Sequence, residues 1–354
     1  MSLASKNNST GHLSPGHLSP EKRAWLRFKG NKRGYYSLWI FSILLFVSLF
    51  AELISNDKPL LVYYQQQLYV PLFNDYPETT FGGDFVSNTD YNDPFIRQVM
   101  KIDGNWAIYP LNSYSYNSIN YYADSPNPAA PSTQNYLGTD DRGRDVLARL
   151  IYGFRISMLF ALALTAVSVV VGIIIGSIQG YFGGKVDLVS QRLIEVWGSM
   201  PQLYLLIIFA AIFQPSISLL ILLLSLFSWI GLSDYVRAEF LRGRNLDYVQ
   251  AAKSLGVSNT GIMFKHLLPN SLIPVVTFLP FTASSAILSL TSLDYLGLGV
   301  PPSTPSLGEL LAQGKENIES WWLSMTTFLV LVGALTLLIF IGEALREAMD
   351  ARRG

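Results

Sequence analysis

"ISMLFALALTAVSVVVGIIIGSI" runs from residue 156 to 178 without one charged side chain. Coiled as a helix, such a block matches the ~30 Å hydrocarbon core of a bilayer. Five more blocks read the same way: "YYSLWIFSILLFVSLFAELI" (35–54), "LIEVWGSMPQLYLLIIFAAIF" (193–213), "ISLLILLLSLFSWIGLSDYV" (217–236), "LIPVVTFLPFTASSAILSL" (272–290) and "WLSMTTFLVLVGALTLLIFIGEAL" (322–345). The turn "QPS" at 214–216 makes two of them a tight hairpin. The expectation is an all-α polytopic membrane protein with six transmembrane helices.

Composition agrees. Half of the 354 residues are hydrophobic and only 14% are charged, whereas a soluble chain of this length carries a charged surface. Net charge is zero, which argues for neither nucleic acid nor an acidic substrate. The absence of cysteine excludes a disulfide framework, a thiolate nucleophile and a lipoprotein anchor. With three histidines in all, no metal site is expected. His12 and His17, in the tandem "GHLSPGHLSP", read as a duplicated tail segment before they read as ligands.

The chain divides into a disordered tail (1–34), a first transmembrane helix (35–55), a polar insert rich in Tyr, Asn, Pro and Asp (56–135) and a membrane core (136–350) with a polar loop at 237–270. The first helix has a long hydrophilic lead and reads as an uncleaved signal anchor. Lys22, Arg23, Arg27, Lys29, Lys32 and Arg33 lie before it. Arg237, Arg242, Arg244, Lys253 and Lys265 lie in the loop, and Arg346, Arg352 and Arg353 close the chain. Positive charge resists translocation, so these segments are expected in the cytoplasm, with both termini, and the insert outside. Glu52, Glu195, Asp234 and Glu343 fall near block ends, where water or headgroups solvate them. Glu343 and Arg346 share a helical face and are expected to pair.

Inside the loop, "YVQAAKSLGVSNTGIMFKHLLPN" (248–270) predicts two short helices around a turn. Asn245 or Asp247 is expected to cap the first, Gly256 to end it in a left-handed conformation, and Ser258 to cap a second helix that stops at Pro269. Leu246, Val249, Ala252 and Leu255 form an apolar face, while Ala251 and Ala252 leave a low surface for a second protein. Folding back on the membrane domain and docking a partner stand about even on pattern alone.

A second stretch, "YLGTDDRGRDVLARLIYGFRISM" (136–158), predicts an amphipathic helix at the outer surface. Thr139 caps it and Asp140 and Asp141 complement its dipole. Val146, Leu147, Leu150, Ile151 and Phe154 form its apolar stripe, with Arg149 and Arg155 snorkelling.

Ala251, Ala252, Gly256, Leu268 and Pro269 stand at the spacing of the "EAA" loop of binding-protein-dependent ABC importer permeases, which this chain resembles. In that family the loop couples the membrane domain to the ATPase, which implies this role for Gln250, Ala251, Ala252, Leu255, Gly256, Leu268 and Pro269. Gln250 stands where relatives carry Glu, and His266 where many carry Ile. Gly138, Thr139, Asp140, Asp141, Gly143, Arg144 and Asp145 are similar to the signature of C-type permease subunits of dipeptide and oligopeptide importers. "GYFGGKVDLVSQRLIEVWGSMP" (180–201), "VRAEFLRGRNLDYVQAAKSLG" (236–256) and "SLDYLGLGVPPSTPSLGELL" (292–311) resemble the same branch. The long insert, "RGYYSLWIF" and "AELISNDKPLLV" are most like the Yej-type importers of peptides and microcin C.

The resemblance implies a type I ABC importer permease in a bacterial inner membrane, moving oligopeptides inward by alternating access. It implies four partners: a B-type permease subunit, a cytoplasmic ABC ATPase with two nucleotide-binding domains, a periplasmic peptide-binding protein and the peptide. A nickel or opine importer, and a peptide-sensing receptor without transport, are the alternatives. This chain is not expected to be an enzyme or to hold a cofactor, ATP and magnesium being bound by the ATPase. "GYFGGKVD" fails as a P-loop, with Gln179 in place of the first glycine and Val186 in place of the metal-binding hydroxyl. No GxSxG elbow or HExxH helix occurs, and no ionisable group of a proton-driven carrier lies at mid-span.

Overall fold

The computed structural model describes residues 20–349 except 103, 122 and 124; the histidine pair at 12 and 17 lies outside them. Two helices open the described chain, α1 (Pro20–Gly30) and α2 (Lys32–Leu49), followed by the short α3 (Ala51–Ile54). The α1 segment, expected within the disordered tail, is helical because it has something to bury: Phe28 sits against Ala344 and Ala348. Asn31 separates it from α2 and caps the latter, its side chain accepting from Gly34 N at 3.1 Å. Asn31 Nδ2 also donates to Glu347, whereas Glu343 and Arg346 form no ion pair among the described residues.

Between α3 and the membrane core lies a small aromatic-centred unit. Strands β1 (Leu61–Tyr64) and β2 (Gln67–Tyr69), helix α4 (Pro94–Val99) and strand β3 (Trp106–Ile108) build it. The antiparallel sheet has order β2-β1-β3, with Val62 opposite Tyr69 on one side and Ala107 on the other. Val62, Tyr64, Phe81, Tyr91, Ile96 and Met100 bury its core, with Phe81 in edge-on contact with Tyr64, Tyr69, Tyr76 and Tyr91.

The core begins with α5 (Val146–Phe182), whose 37 residues reach about 55 Å. It is followed by α6 (Gly184–Gly198), α7 (Gln202–Ile212), α8 (Ile217–Ser228), α9 (Ile230–Gly243), α10 (Asp247–Ser254) and α11 (Asn259–Gly261). A π-helical turn (Ile262–Leu267) leads into α12 (Leu268–Tyr295), then α13 (Leu307–Glu316) and α14 (Trp321–Met349).

Among the described residues, four helices are long and apolar enough to cross a membrane: α5, α8 continued by α9, the 275–295 part of α12, and α14. A fifth candidate is α6 with α7, bent by 61° at Ser199–Pro201. The single helix expected over 193–213 is therefore broken, because Pro201 supplies no amide to continue the ladder. The first block, expected as one helix over 35–54, is interrupted at Phe50 and has Lys32 and Arg33 in its first turn, so it is not among these candidates.

Helix α5 packs closely along α9. Gly172, Gly176 and Gly180 recur every fourth residue along the contact. A Cβ on Gly176 would lie 2.4 Å from the Ser233 carbonyl, and one on Gly180 would lie 2.5 Å from Phe240 Cβ. Small residues at this period let two backbones approach closely, which in lipid replaces hydrophobic drive with direct packing. Gly176→Leu should destabilise the fold by about 1–3 kcal/mol or more, whereas Gly333→Leu, facing open space, should be near neutral. Thermal unfolding of both variants in detergent, read against the parent chain, checks this contrast.

Candidate functional site

Two sites stand at opposite ends of α5. At its C-terminal end, α9 hands over to the 244–270 loop. Arg244 Nη1 donates to the Tyr181 carbonyl at 3.3 Å, and Tyr181 Oη donates to Asn259 Oδ1 at 2.7 Å. Neither Asn245 nor Asp247 caps α10; its N-cap is Leu246, which has no side chain to offer, while Asn245 Nδ2 turns back to Leu241 O. Gly256 does adopt the left-handed conformation, with φ +77°. Ser258 Oγ accepts from Gly261 N, as expected of a cap.

Pro269 does not stop the following helix. The π turn before it widens the backbone, and Pro269 falls in the first turn of α12, where a missing amide costs little.

The expected apolar face splits. Val249 and Ala252 are buried with Phe240, Ile262, Met263 and Leu267, so Ala252 packs on its own chain. Ala251 and Gln250 are exposed, and Gln250 Nε2 donates to Arg244 O at 3.0 Å. Leu255 is 84% exposed, the Gly256 Cβ position is empty of neighbours, Leu268 is half-buried and Pro269 is exposed. Leu255 and Gly256 therefore form an apolar, low-relief tip at the end of the bundle.

The other end of α5 carries the 138–145 stretch, which is a turn and not the expected amphipathic helix. Gly138 and Gly143 have φ of +77° and +79°, and a Cβ on Gly138 would lie 2.6 Å from the Ala129 carbonyl. Asp140 takes the amides of Arg142 and Arg144 at 3.0 and 2.8 Å, closing the turn. Thr139, which was the expected cap, is buried: its hydroxyl accepts from Ala129 N at 2.7 Å, and its carbonyl accepts from Trp322 Nε1. Asp145 is the cap of α5, accepting from Ala148 N at 2.7 Å and from Asn112 and Asn135 side chains at 2.7 and 2.8 Å. Burial holds its carboxyl above the ordinary range, against these bonds. Asp141 is exposed.

Arg149, expected to snorkel, is fully buried. It pairs with Glu309 on α13, lies 3.6 Å from Asp140, and donates to the carbonyls of Tyr116 and Thr304 at 3.2 Å. Arg144 bridges Asp140 and Glu309 and donates to Pro302 O. Two arginines and two carboxylates thus compensate each other in one cluster that ties the turn, α5, α13 and the 302–304 segment together. The insert joins here too, through Asn112, Tyr116 and the Tyr116–Tyr152 ring contact at 4.9 Å. Arg155 pairs with Glu52 at 2.8 Å, so neither stands alone.

Residues 168–354 match the family described as the binding-protein-dependent transport system inner membrane component, which is half of the chain or more. The chain belongs to that family. Residues 19–74 match the N-terminal transmembrane domain of oligopeptide transport permease C. Among curated relatives, the Agrobacterium fabrum peptidoglycan transport system permease protein YejE is 50% identical, covering 100% of this chain and 99% of its own. The Escherichia coli inner membrane ABC transporter permease protein YejE is 51% identical over 95% of this chain and 98% of the relative. The Lactococcus lactis dipeptide transport system permease protein DppC is 31% identical over 98% and 94%.

Membership makes this chain a membrane permease component of an ABC transporter. Within the family's matched region lie the 248–270 loop and Glu309; the 138–145 turn lies before it. Glu309, Asn112 and Asn135 were not singled out from sequence; Glu309 lies 160 residues from Arg149, so no local pattern pairs them. Glu309→Ala should leave Arg149 buried without its main counter-charge, costing about 3–5 kcal/mol, whereas the same change at exposed Glu316 should be near neutral. Thermal unfolding of the two purified variants separates them.

Proposed function

We propose that this chain is the C-type permease of an ATP-driven importer of oligopeptides, microcin C-like peptides and cell-wall peptides among them. It works beside a B-type permease, a cytoplasmic ATPase with two nucleotide-binding domains that bind ATP and magnesium, and a periplasmic peptide-binding protein. The proposal includes six spans of the type I arrangement, with α2 as the first, in a bacterial inner membrane. Both termini and the 244–270 loop face the cytoplasm; the insert faces the periplasm. The basic residues clustered in the loop and near both termini support that orientation.

The observation that carries this reading is the loop tip. Leu255 stands exposed beside a glycine of positive φ, on a helix whose other face is anchored in the bundle. This suits a groove on a second protein: an exposed apolar side chain beside a low-relief glycine, on a rigid base. In the cycle, ATP closure draws the tips together, the helices behind them tilt, and the passage opens toward the binding protein. Hydrolysis returns it inward. The relatives' names, peptidoglycan and dipeptide transport, support peptides as the class carried.

Gly256→Val tests the loop. A β-branched residue is strained at φ +77°, although nothing crowds its side chain. Insertion and yield should stay normal while peptide uptake and ATPase co-purification fall together. Uptake at the parental rate, at parental expression, would refute docking through this tip.

A further inference from the structure

A cavity of about 430 Å³ opens between α7, α8, α9 and α12. Its described walls carry no charge. They combine aromatic rings, among them Tyr235 and Phe278 at a centroid distance of 4.2 Å, with the amide of Gln202 and the hydroxyls of Ser228, Thr282, Ser285 and Ser289. The last three recur at intervals of three and four on one face of α12, within a candidate span. Ser285 and Ser289 are exposed on the chain, whereas the outward residues of α5 and α14, such as Val170 and Leu329, are large and apolar.

Exposed hydroxyls within a span gain nothing from hydrocarbon, so this face adjoins water or other polar atoms. A second feature points the same way. The α6–α7 pair breaks at Ser199–Pro201, and Gln202, the first residue after the break, lines the cavity. Irregular backbone at membrane depth is tolerated where it borders protein or a watery passage.

We infer that this cavity is the chain's half of the peptide passage, and that it handles its cargo by hydrogen bonds to main-chain amides and by aromatic contact, without charge selection. The inference rests on the peptide-importer reading above. A peptide offers one amide per residue whatever its side chains, so hydroxyls and a carboxamide suit varied sequences, and uncharged walls hold no charged side chain back.

The native chain has no cysteine, so single cysteines report directly. In the assembled importer in vesicles, Ser285→Cys, Ser289→Cys, Val170→Cys, Leu329→Cys and, as a positive control, Ile318→Cys (83% exposed outside the helices) are treated on both faces with a sulfonate-bearing methanethiosulfonate. Lipid-facing thiols stay protonated and unreactive, so the two serine positions should label at least about tenfold faster than Val170 and Leu329 positions. Labelling there should also abolish the ATP-driven uptake of radiolabelled tripeptide that each cysteine variant retains before labelling. Normal uptake with the serine positions unlabelled would place them in a subunit interface and overturn the inference; so would labelling that leaves uptake intact. Absence of peptide uptake in the parent importer counts against the peptide reading instead, and the labelling pattern still decides whether this face borders water.

Discussion

The close approach of α9 to α5 through Gly172, Gly176 and Gly180 is the contact on which the remaining architecture depends. With a Cβ 2.4 Å from a neighbouring carbonyl, no other residue fits at Gly176 without moving a backbone. Because α9 leads directly into the loop and α5 runs to the insert, this seam makes one body of both ends. The loop is further fixed by Arg244 on the Tyr181 carbonyl and by Tyr181 on Asn259. In the coupling role proposed for the loop, a push at Leu255 would act through these bonds on α5, which is about 55 Å long.

At the far end, the ion cluster supplies direction more than strength. Burying Arg149 costs solvation that Glu309 and Asp140 offset only while the geometry holds. Such a cluster tolerates few arrangements, so it pins α13 and the 302–304 segment to the start of α5. Asp145 extends the connection into the insert through Asn112 and Asn135. The insert is thereby seated on the start of α5 by buried polar bonds and by Tyr116, whose carbonyl accepts from Arg149 and whose ring meets Tyr152.

Much of the membrane architecture was legible because apolar length is a strong signal: α5, α8–α9, α12 and α14 fall where the hydrophobic blocks lie. The positive φ of Gly256 and the Ser258 cap were legible for a local reason, since only a few residue types suit those conformations. Sequence reading failed where tertiary partners decide. Asp140 and Asp141 resemble a helix first turn, yet Gly138 and Gly143 fold them into a loop and leave the cap to Asp145. Arg149 sits on a stripe that suggests snorkelling, but its partner lies 160 residues away on α13. Ala252 has the small side chain that suits a protein interface, yet it is buried in the cluster that also holds Ile262 and Met263. The break at Pro201 and the passage of α12 through Pro269 show the same residue acting oppositely, according to whether a π turn or helix start accommodates it.

The proposed meeting of the 248–270 loop with an ATPase rests on the exposed tip at Leu255 and Gly256. The most direct measurement is site-specific crosslinking from Leu255→Cys in the assembled complex, using a short bifunctional thiol reagent and an ATPase with a cysteine introduced in its exposed groove. A product joining these two chains is expected, with a yield that changes when a non-hydrolysable ATP analogue is added, and no such product from a cysteine at buried Val249. A complex that hydrolyses ATP normally but gives no product from Leu255→Cys would contradict it.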